Sequence, residues 1–428
     1  MNFNSAICLL VHFTYLFKQK RIDNSHSDNQ KVSSNQILAA SFYTGKGFTD
    51  VKNILNLTGH MTQSKASFYR HLPECEQRIE EKANEMTQKA REHFSGNVCI
   101  DCRWSSPKRG MHGTVTAVDQ ESHQVIEFCT LTKDGGHRVD SNYDGSSNNM
   151  ETVGTTEIIK RLKEHEIFDA IHTITKDRDN STSKLIKDIG SEDLLTYDPG
   201  HYRKSFENAL DKFFIDHKTV EYFVNNNKII VKRPFYGLKE RLLKWMNSCL
   251  KCSDIDERIS MWVSCIAHYL GDDTNCMHPP DEEHKVWLAG IEHPILVDIL
   301  QKFVDDQIDI LTKTSNQFHT QNVESVNSSY ARLAPKRVGW NRIKGRIASG
   351  VIRQNDPIHA PFVKMDCCNV GPYDEAVNDQ IRNDAIDLNS KRIISHTDEY
   401  RQKKNQRRNK NRKKFKDDPN GDYKKEEQ

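Results

Sequence analysis

Between Asn97 and Phe214 the apolar pattern changes period in an order that few architectures accommodate. Val98–Trp104, Gly113–Asp119 and Gln124–Leu131 are three runs rich in Val, Ile, Thr and Phe, separated by turn residues. They read as an antiparallel meander. A polar loop, Asp140–Asn149, leads to an amphipathic helical pattern at Met150–Lys163. Strand signals at Ala170–Thr175 and Asp193–Tyr197 then alternate with helical ones at Ser181–Ile189 and Tyr202–Phe214.

Three strands followed by helix, strand, helix, strand and helix is the element order of a ribonuclease H-like fold, an α/β class with a mixed sheet flanked by helices. The 428 residues, 36% of them hydrophobic, suffice for two or three domains with a buried core and exclude a wholly disordered chain. The expected organisation is an N-terminal segment and linker (1–35), a helical region (36–95), and the first part of the core (96–216). A mostly helical insertion (217–315), the final core helix (316–365) and a polar to basic, disordered tail (366–428) complete it. Trp245, Trp262 and Trp287 are the expected core of the insertion, and no internal repeat is evident.

The near-neutral charge, 62 Lys+Arg against 60 Asp+Glu, conceals an asymmetry. Residues 401–428 hold 12 basic and 5 acidic side chains, and the stretch Arg401–Lys416 contains Lys413 and Lys414 and no acid. Such a segment points to nucleic acid or nuclear import, and the expected location is the nucleus. No apolar run approaches the roughly 18 residues that crossing a bilayer takes. Ile7–Phe17 has the length of a signal sequence, but its basic cluster (Lys18–Arg21) follows rather than precedes it, so a buried helix or an ill-defined start is expected there. The 11 cysteines are an odd number spread over a long chain, which fits reduced thiols better than a disulfide framework.

Phe48, Val51, Ile54, Leu55 and Leu57 fall at helical spacing before Gly59, and Ser64 or Ser67 offers a cap for a short second helix through Leu72. The pair resembles a helix-turn-helix, with Lys65, Arg70 and His71 available to phosphates. A purely structural helical hairpin accounts for it equally well.

Asp101 stands inside an apolar strand, Val-Cys-Ile-Asp-Cys-Arg-Trp, where a carboxylate is costly unless a cation compensates it. Asp177 ends the fourth strand, Ile174-Thr175-Lys176-Asp177; in the expected fold that strand lies beside the first, so the two acids would face each other, and Glu324 on a returning helix would complete the cluster. Asp179, in Asp177-Arg178-Asp179, is the alternative to Asp177. Three acidic oxygen donors suit Mg²⁺ or Mn²⁺, and such ions serve phosphoryl displacement on DNA.

Asp101-Cys102-Arg103-Trp104-Ser105-Ser106, Gly113-Thr114-Val115-Thr116-Ala117, Asn142-Tyr143-Asp144-Gly145-Ser146-Ser147 and Asp177-Arg178-Asp179 together resemble the catalytic core of Mutator-like DDE transposases. His268-Tyr269-Leu270-Gly271-Asp272 leading to Cys276, and Asn322-Val323-Glu324-Ser325-Val326-Asn327-Ser328 with Pro335-Lys336, extend the resemblance over roughly residues 40–360. It implies a DDE triad at Asp101, Asp177 and Glu324, with Mg²⁺-dependent cleavage and joining of DNA at transposon ends. It also implies a homo-oligomer in the active complex, holding terminal repeats and target DNA. The family's short motif ending in His matches Asp198-Pro199-Gly200-His201, which puts His201 beside a carboxylate or a DNA phosphate, with Lys204 one turn on and Lys336 and Arg337 as further DNA contacts. The Cys of the family's Cys-x-x-His form is Asp198 here, which speaks against zinc at that spot.

Cys249-x-x-Cys252, with His268 and Cys276, invites structural zinc, although two thiols in a helical pattern also make ordinary core. Cys99 and Cys102 would point to opposite faces of a strand and are not expected to share a metal. The competing reading is a domesticated, non-catalytic DNA-binding protein that keeps the fold.

Overall fold

The computed structural model describes residues 32–57, 62–105, 110–134, 140–177, 180–272, 294–314, 317–335, 342–371, 375–396, 400, 402–403 and 406. The chain divides into two compact units, Met1–Met86 with Lys344–Gln428, and Thr87–Ile343. Helices α1 (Ser34–Thr44), α2 (Phe48–Leu57) and α3 (Lys65–Arg91) open the described chain. A reciprocal Ser33–Gln36 capping box starts α1, and Gly45, at φ 74°, ends it in the left-handed conformation. The Ser64 hydroxyl accepts from the Ser67 N–H at the start of α3. The expected short second helix instead continues through Pro73 for 27 residues. A buried stripe at Phe68, Cys75, Ile79 and Ala83 accounts for this continuity, because packing outweighs one lost intrahelical bond. Lys65 and Arg70 lie exposed on its first turns.

The second unit is built on a mixed five-stranded sheet flanked by helices, in the order β3-β2-β1-β4-β5. Strands β1 (Asn97–Trp104), β2 (His112–Asp119) and β3 (Val125–Thr132) form the antiparallel meander. Helix α4 (Met150–Glu164) covers it, and Gly154 permits the approach: a Cβ there would lie 2.5 Å from Val115 Cγ2. Strand β4 (Thr173–Lys176), helix α5 (Asn180–Asp188), strand β5 (Leu195–Tyr197) and helix α6 (Pro199–Asp216) follow. β4 pairs in parallel with β1 and with β5, so Asp101 and Asp177 sit on adjacent strands or their ends, as expected from the element order.

The insertion, expected to be mostly helical, opens instead with strands. Strands β6 (Thr219–Val224) and β7 (Asn227–Lys232) form a hairpin. Its turn residues Asn225 and Asn226 both have positive φ, the geometry that a two-residue hairpin turn requires and Asn tolerates. The remaining elements are helical: α7 (Leu238–Cys249), α8 (Ile255–Val263), α9 (Cys265–Leu270), α10 (Pro294–Asp305) and α11 (Ile308–Lys313). They share the core of the sheet rather than building a separate one. Phe206 on α6 meets Trp262 edge-on at 5.5 Å and Phe303 at 5.9 Å, and the Trp262 indole donates to the Val304 carbonyl. Trp245 is also buried, while Trp287 and Ile7–Phe17 lie outside the described residues.

Helix α12 (Gln321–Leu333) returns to the sheet with Val323, Val326, Tyr330 and Leu333 buried. Helices α13 (Lys344–Asn355), α14 (Ala360–Cys367) and α15 (Glu375–His396) belong to the first unit. Two expectations are corrected here. Residues 344–365 join the N-terminal helices instead of the sheet core, because α13 is buried along most of its length and both α13 and α14 pack on α1. Part of the expected disordered tail is the 22-residue helix α15, which buries Ile381 and Ala385. Its polar composition masked this short apolar contact.

Among the described residues no helix is long and apolar enough to cross a membrane.

Candidate active site

Three carboxylates and one histidine, from four elements, meet at the β1–β4 pair. Asp101 lies in mid-β1, Asp177 directly follows β4, His201 is in the first turn of α6, and Glu324 is in the first turn of α12. His201 stands between two of the acids, its Nδ1 3.2 Å from Asp177 Oδ2 and its Nε2 3.3 Å from Glu324 Oε1. Only the doubly protonated ring donates to both at once.

Asp198 sets the position of His201. Its carboxylate caps α6 by accepting from the His201 N–H at 2.9 Å, with Pro199 at the first helical position. The second Asp198 oxygen accepts from the Thr320 N–H at 2.8 Å and from the Thr320 hydroxyl at 3.2 Å. One buried carboxylate therefore joins the start of α6 to the start of α12. The Thr320 hydroxyl also lies 3.4 Å from Asp177 Oδ1.

Three further contacts fix α12 against the sheet. Asn322 Nδ2 donates to the Gln120 carbonyl at the end of β2, Asn327 Nδ2 donates to Asp101 Oδ2 at 2.7 Å, and buried Arg103 donates to the Ala334 carbonyl. Because Glu324 and Asn327 are three residues apart on a helix, they share the face turned toward Asp101 and His201.

The site holds more negative charge than it neutralises. Burial, followed by the charge of Asp177 and then by that of Glu324, pushes the Asp101 carboxyl up to about 6, against the opposing bonds from the Cys102 N–H and Asn327. Burial also raises Asp177; His201 opposes the shift, and Asp198 and Glu324 add to it. A cleft of about 490 Å³ opens beside the acids, lined by His201, Lys204, His319, Gln321 and Glu324.

Among the described residues no group of three or more His, Cys, Asp or Glu is placed to hold a metal ion as it stands. The donor chemistry of the acidic cluster nonetheless suits a hard cation. Its carboxylates repel one another, and Asn327 Oδ1 is buried there without a hydrogen-bond partner.

The zinc expectation meets a different arrangement. Cys249 is buried core, Cys252 Sγ lies 3.8 Å from the Ser248 carbonyl and 3.9 Å from Met261 Sδ, and the His268 ring packs on Trp245 at 4.7 Å. The buried Arg258 guanidinium, bonded to the Cys252 and Leu311 carbonyls, holds that turn instead. Cys276, Asp179, Lys336, Arg337, Lys413 and Lys414 lie outside the described residues.

Sequence reasoning found Asp101, Asp177, His201 and Glu324 but missed Asp198, Thr320 and Asn327 as supports. Asp-Pro-Gly-His carried a legible N-cap signal for Asp198, and the i, i+3 spacing pointed from Glu324 to Asn327. Thr320 had no sequence signal, since its role exists only once two distant helices meet. No family model, no curated protein and no solved structure matches the chain.

Proposed function

We propose that residues 87–343 form a ribonuclease H-like catalytic core of a DDE-type DNA transposase, acting in the nucleus on transposon ends. The observation that carries this reading is the convergence of Asp101, Asp177 and Glu324, from three elements far apart in the chain, on one end of a parallel strand pair. The sheet order 3-2-1-4-5 supports it, as does the return of the chain through a largely helical insertion to the helix bearing Glu324.

Asp101, Asp177 and Glu324 are the residues that would hold Mg²⁺ or Mn²⁺. When bound, such ions supply Lewis acidity at the attacking and leaving oxygens of phosphoryl transfer. Asn327 fixes the rotamer of Asp101 through its amide. His201 orients Asp177 and Glu324, and Lys204, facing the same cleft, contacts a DNA phosphate. Arg401–Lys416 adds sequence-independent attraction to the DNA backbone.

The second reading, a non-catalytic DNA-binding protein of the same fold, draws on the position of His201 between the two acids. Metal-dependent cleavage of DNA carrying the element's terminal repeats separates the two. Asp101→Asn and Glu324→Gln keep shape but lose charge, and each is expected to reduce cleavage on the order of 10³-fold or more while duplex binding persists. Cleavage undiminished in either variant defeats the triad, and a wild-type chain that binds without cutting establishes the second reading.

A further inference from the structure

The far end of α6 carries a second cleft that none of the proposed chemistry uses. It has a volume of about 780 Å³, a size suited to a ligand of nucleotide scale. The end of α6, the base of the β6–β7 hairpin and the segment entering α7 line it. Its floor is aromatic: buried Phe235 lies 5.1 Å from Phe213 and 6.3 Å from the edge-on His217 ring.

The rim combines exposed apolar groups with exposed cations. Tyr236 is 84% exposed and Ile215 73% exposed, so large apolar groups face water. Beside them stand Lys218 and Arg233, both exposed and without an ion pair among the described residues. The third cation of the lining, Lys239, is neutralised by Asp211 and lies 3.9 Å from Glu207.

The rim is also preorganised. The Arg233 N–H donates to the Lys218 carbonyl at 2.8 Å, which holds the backbones of these two residues side by side. The Tyr236 N–H donates to the Arg233 carbonyl at 3.1 Å, and Arg233 and Gly237 both adopt positive φ, at 53° and 88°. An exposed aromatic side chain beside cations that have no ion pair among the described residues matches the way single-stranded nucleic acid is bound, with the ring under a base and the cations on the flanking phosphates.

We infer that this cleft binds an unpaired nucleotide of a DNA strand, its base against Tyr236 and its phosphates against Arg233 and Lys218. The inference rests on the transposase reading for the identity of the strand. Helix α6 separates His201 from the cleft by 10 to 14 residues, or roughly 15–20 Å at 1.5 Å per residue. At the duplex spacing of about 3.4 Å per nucleotide along one strand, the cleft lies some four to six nucleotides from a reacting phosphate at the acidic site.

The test uses the full chain with a fluorescently labelled single-stranded oligodeoxynucleotide and with the blunt duplex of the same sequence. Tyr236→Ala should weaken single-strand binding about tenfold and leave duplex binding unchanged, whereas Tyr236→Phe retains both. Arg233→Gln should reduce the slope of log affinity against log salt by roughly one. Tyr236 and Arg233 are exposed, so both variants fold. Single-strand affinity unchanged in Tyr236→Ala and Arg233→Gln overturns the inference. Displacement of the oligonucleotide by polyglutamate at equal charge, with no loss on introducing abasic positions, overturns it in favour of an acidic protein partner. Cleavage is scored on the same samples: intact cleavage with Tyr236-independent binding defeats the cleft alone. Tyr236-dependent binding without any cleavage upholds the cleft and defeats the enzyme.

Discussion

The two ends of α6 carry opposite chemistry. At its N-terminus His201 stands between Asp177 and Glu324 with Asp101 nearby, and burial and the charge of neighbouring acids raise Asp101 and Asp177. At its C-terminus Lys218, Arg233 and Tyr236 face water around an aromatic floor. The acidic site is built from elements remote in sequence and depends on several long-range bonds to exist. The basic cleft draws all its residues from one continuous stretch, 211–239, and needs only a hairpin and two helix ends. Sites that depend on remote elements are easily broken by losing one support, whereas local sites change mainly in their surface chemistry.

The largest expected effect tests which carboxylate completes the acidic site. Asp177→Asn should reduce metal-dependent cleavage on the order of 10³-fold or more, while Asp179→Asn leaves it near the wild-type rate. The opposite ranking in a cleavage assay reassigns the ligand and moves the site off the strand end.

Next in size is the loss of the carboxylate that joins α6 to α12. Asp198→Ala removes an N-cap and leaves the buried Thr320 N–H without an acceptor, at a combined cost of about 2 to 4 kcal/mol. Chemical denaturation measures it, and cleavage should fall in the surviving folded protein because His201 and Glu324 lose their common anchor. A shift under about 0.5 kcal/mol would show that the acidic site does not depend on this link.

The smallest effect belongs to the basic cleft. Lys239 is held by Asp211, so Lys239→Met should change stability by less than about 0.5 kcal/mol. It should also weaken oligonucleotide binding less than Arg233→Gln does. Equal losses from the two substitutions, measured by titration at one salt concentration, would mean that the ion pair opens on binding and that the two cations are equivalent.

Much of this was legible beforehand where the signal is local. Strand runs at 98–131, the alternation of helix and strand to residue 214, and a carboxylate inside an apolar strand are properties of short windows. The β6–β7 hairpin was also encoded, in alternating Val220, Tyr222 and Val224 followed by Asn225-Asn226, yet the surrounding helical pattern hid it. The continuity of α3 through Pro73 was not legible, because a buried stripe along the helix overrides the local preference of one residue.

The sequence by itself determined the type and order of the sheet elements, the four polar side chains around which the acidic site forms, and the excess of cations beyond residue 400. Only the tertiary structure decided that the insertion shares the sheet's core, that α13, α14 and α15 join α1 in a unit made from both parts of the chain, and that Thr320, Asn327 and Arg103 support the acids. The reason is physical. Period and propensity act over a few residues, whereas a bond such as Thr320 to Asp198 or Arg103 to Ala334 has no energy until the chain has brought its partners together.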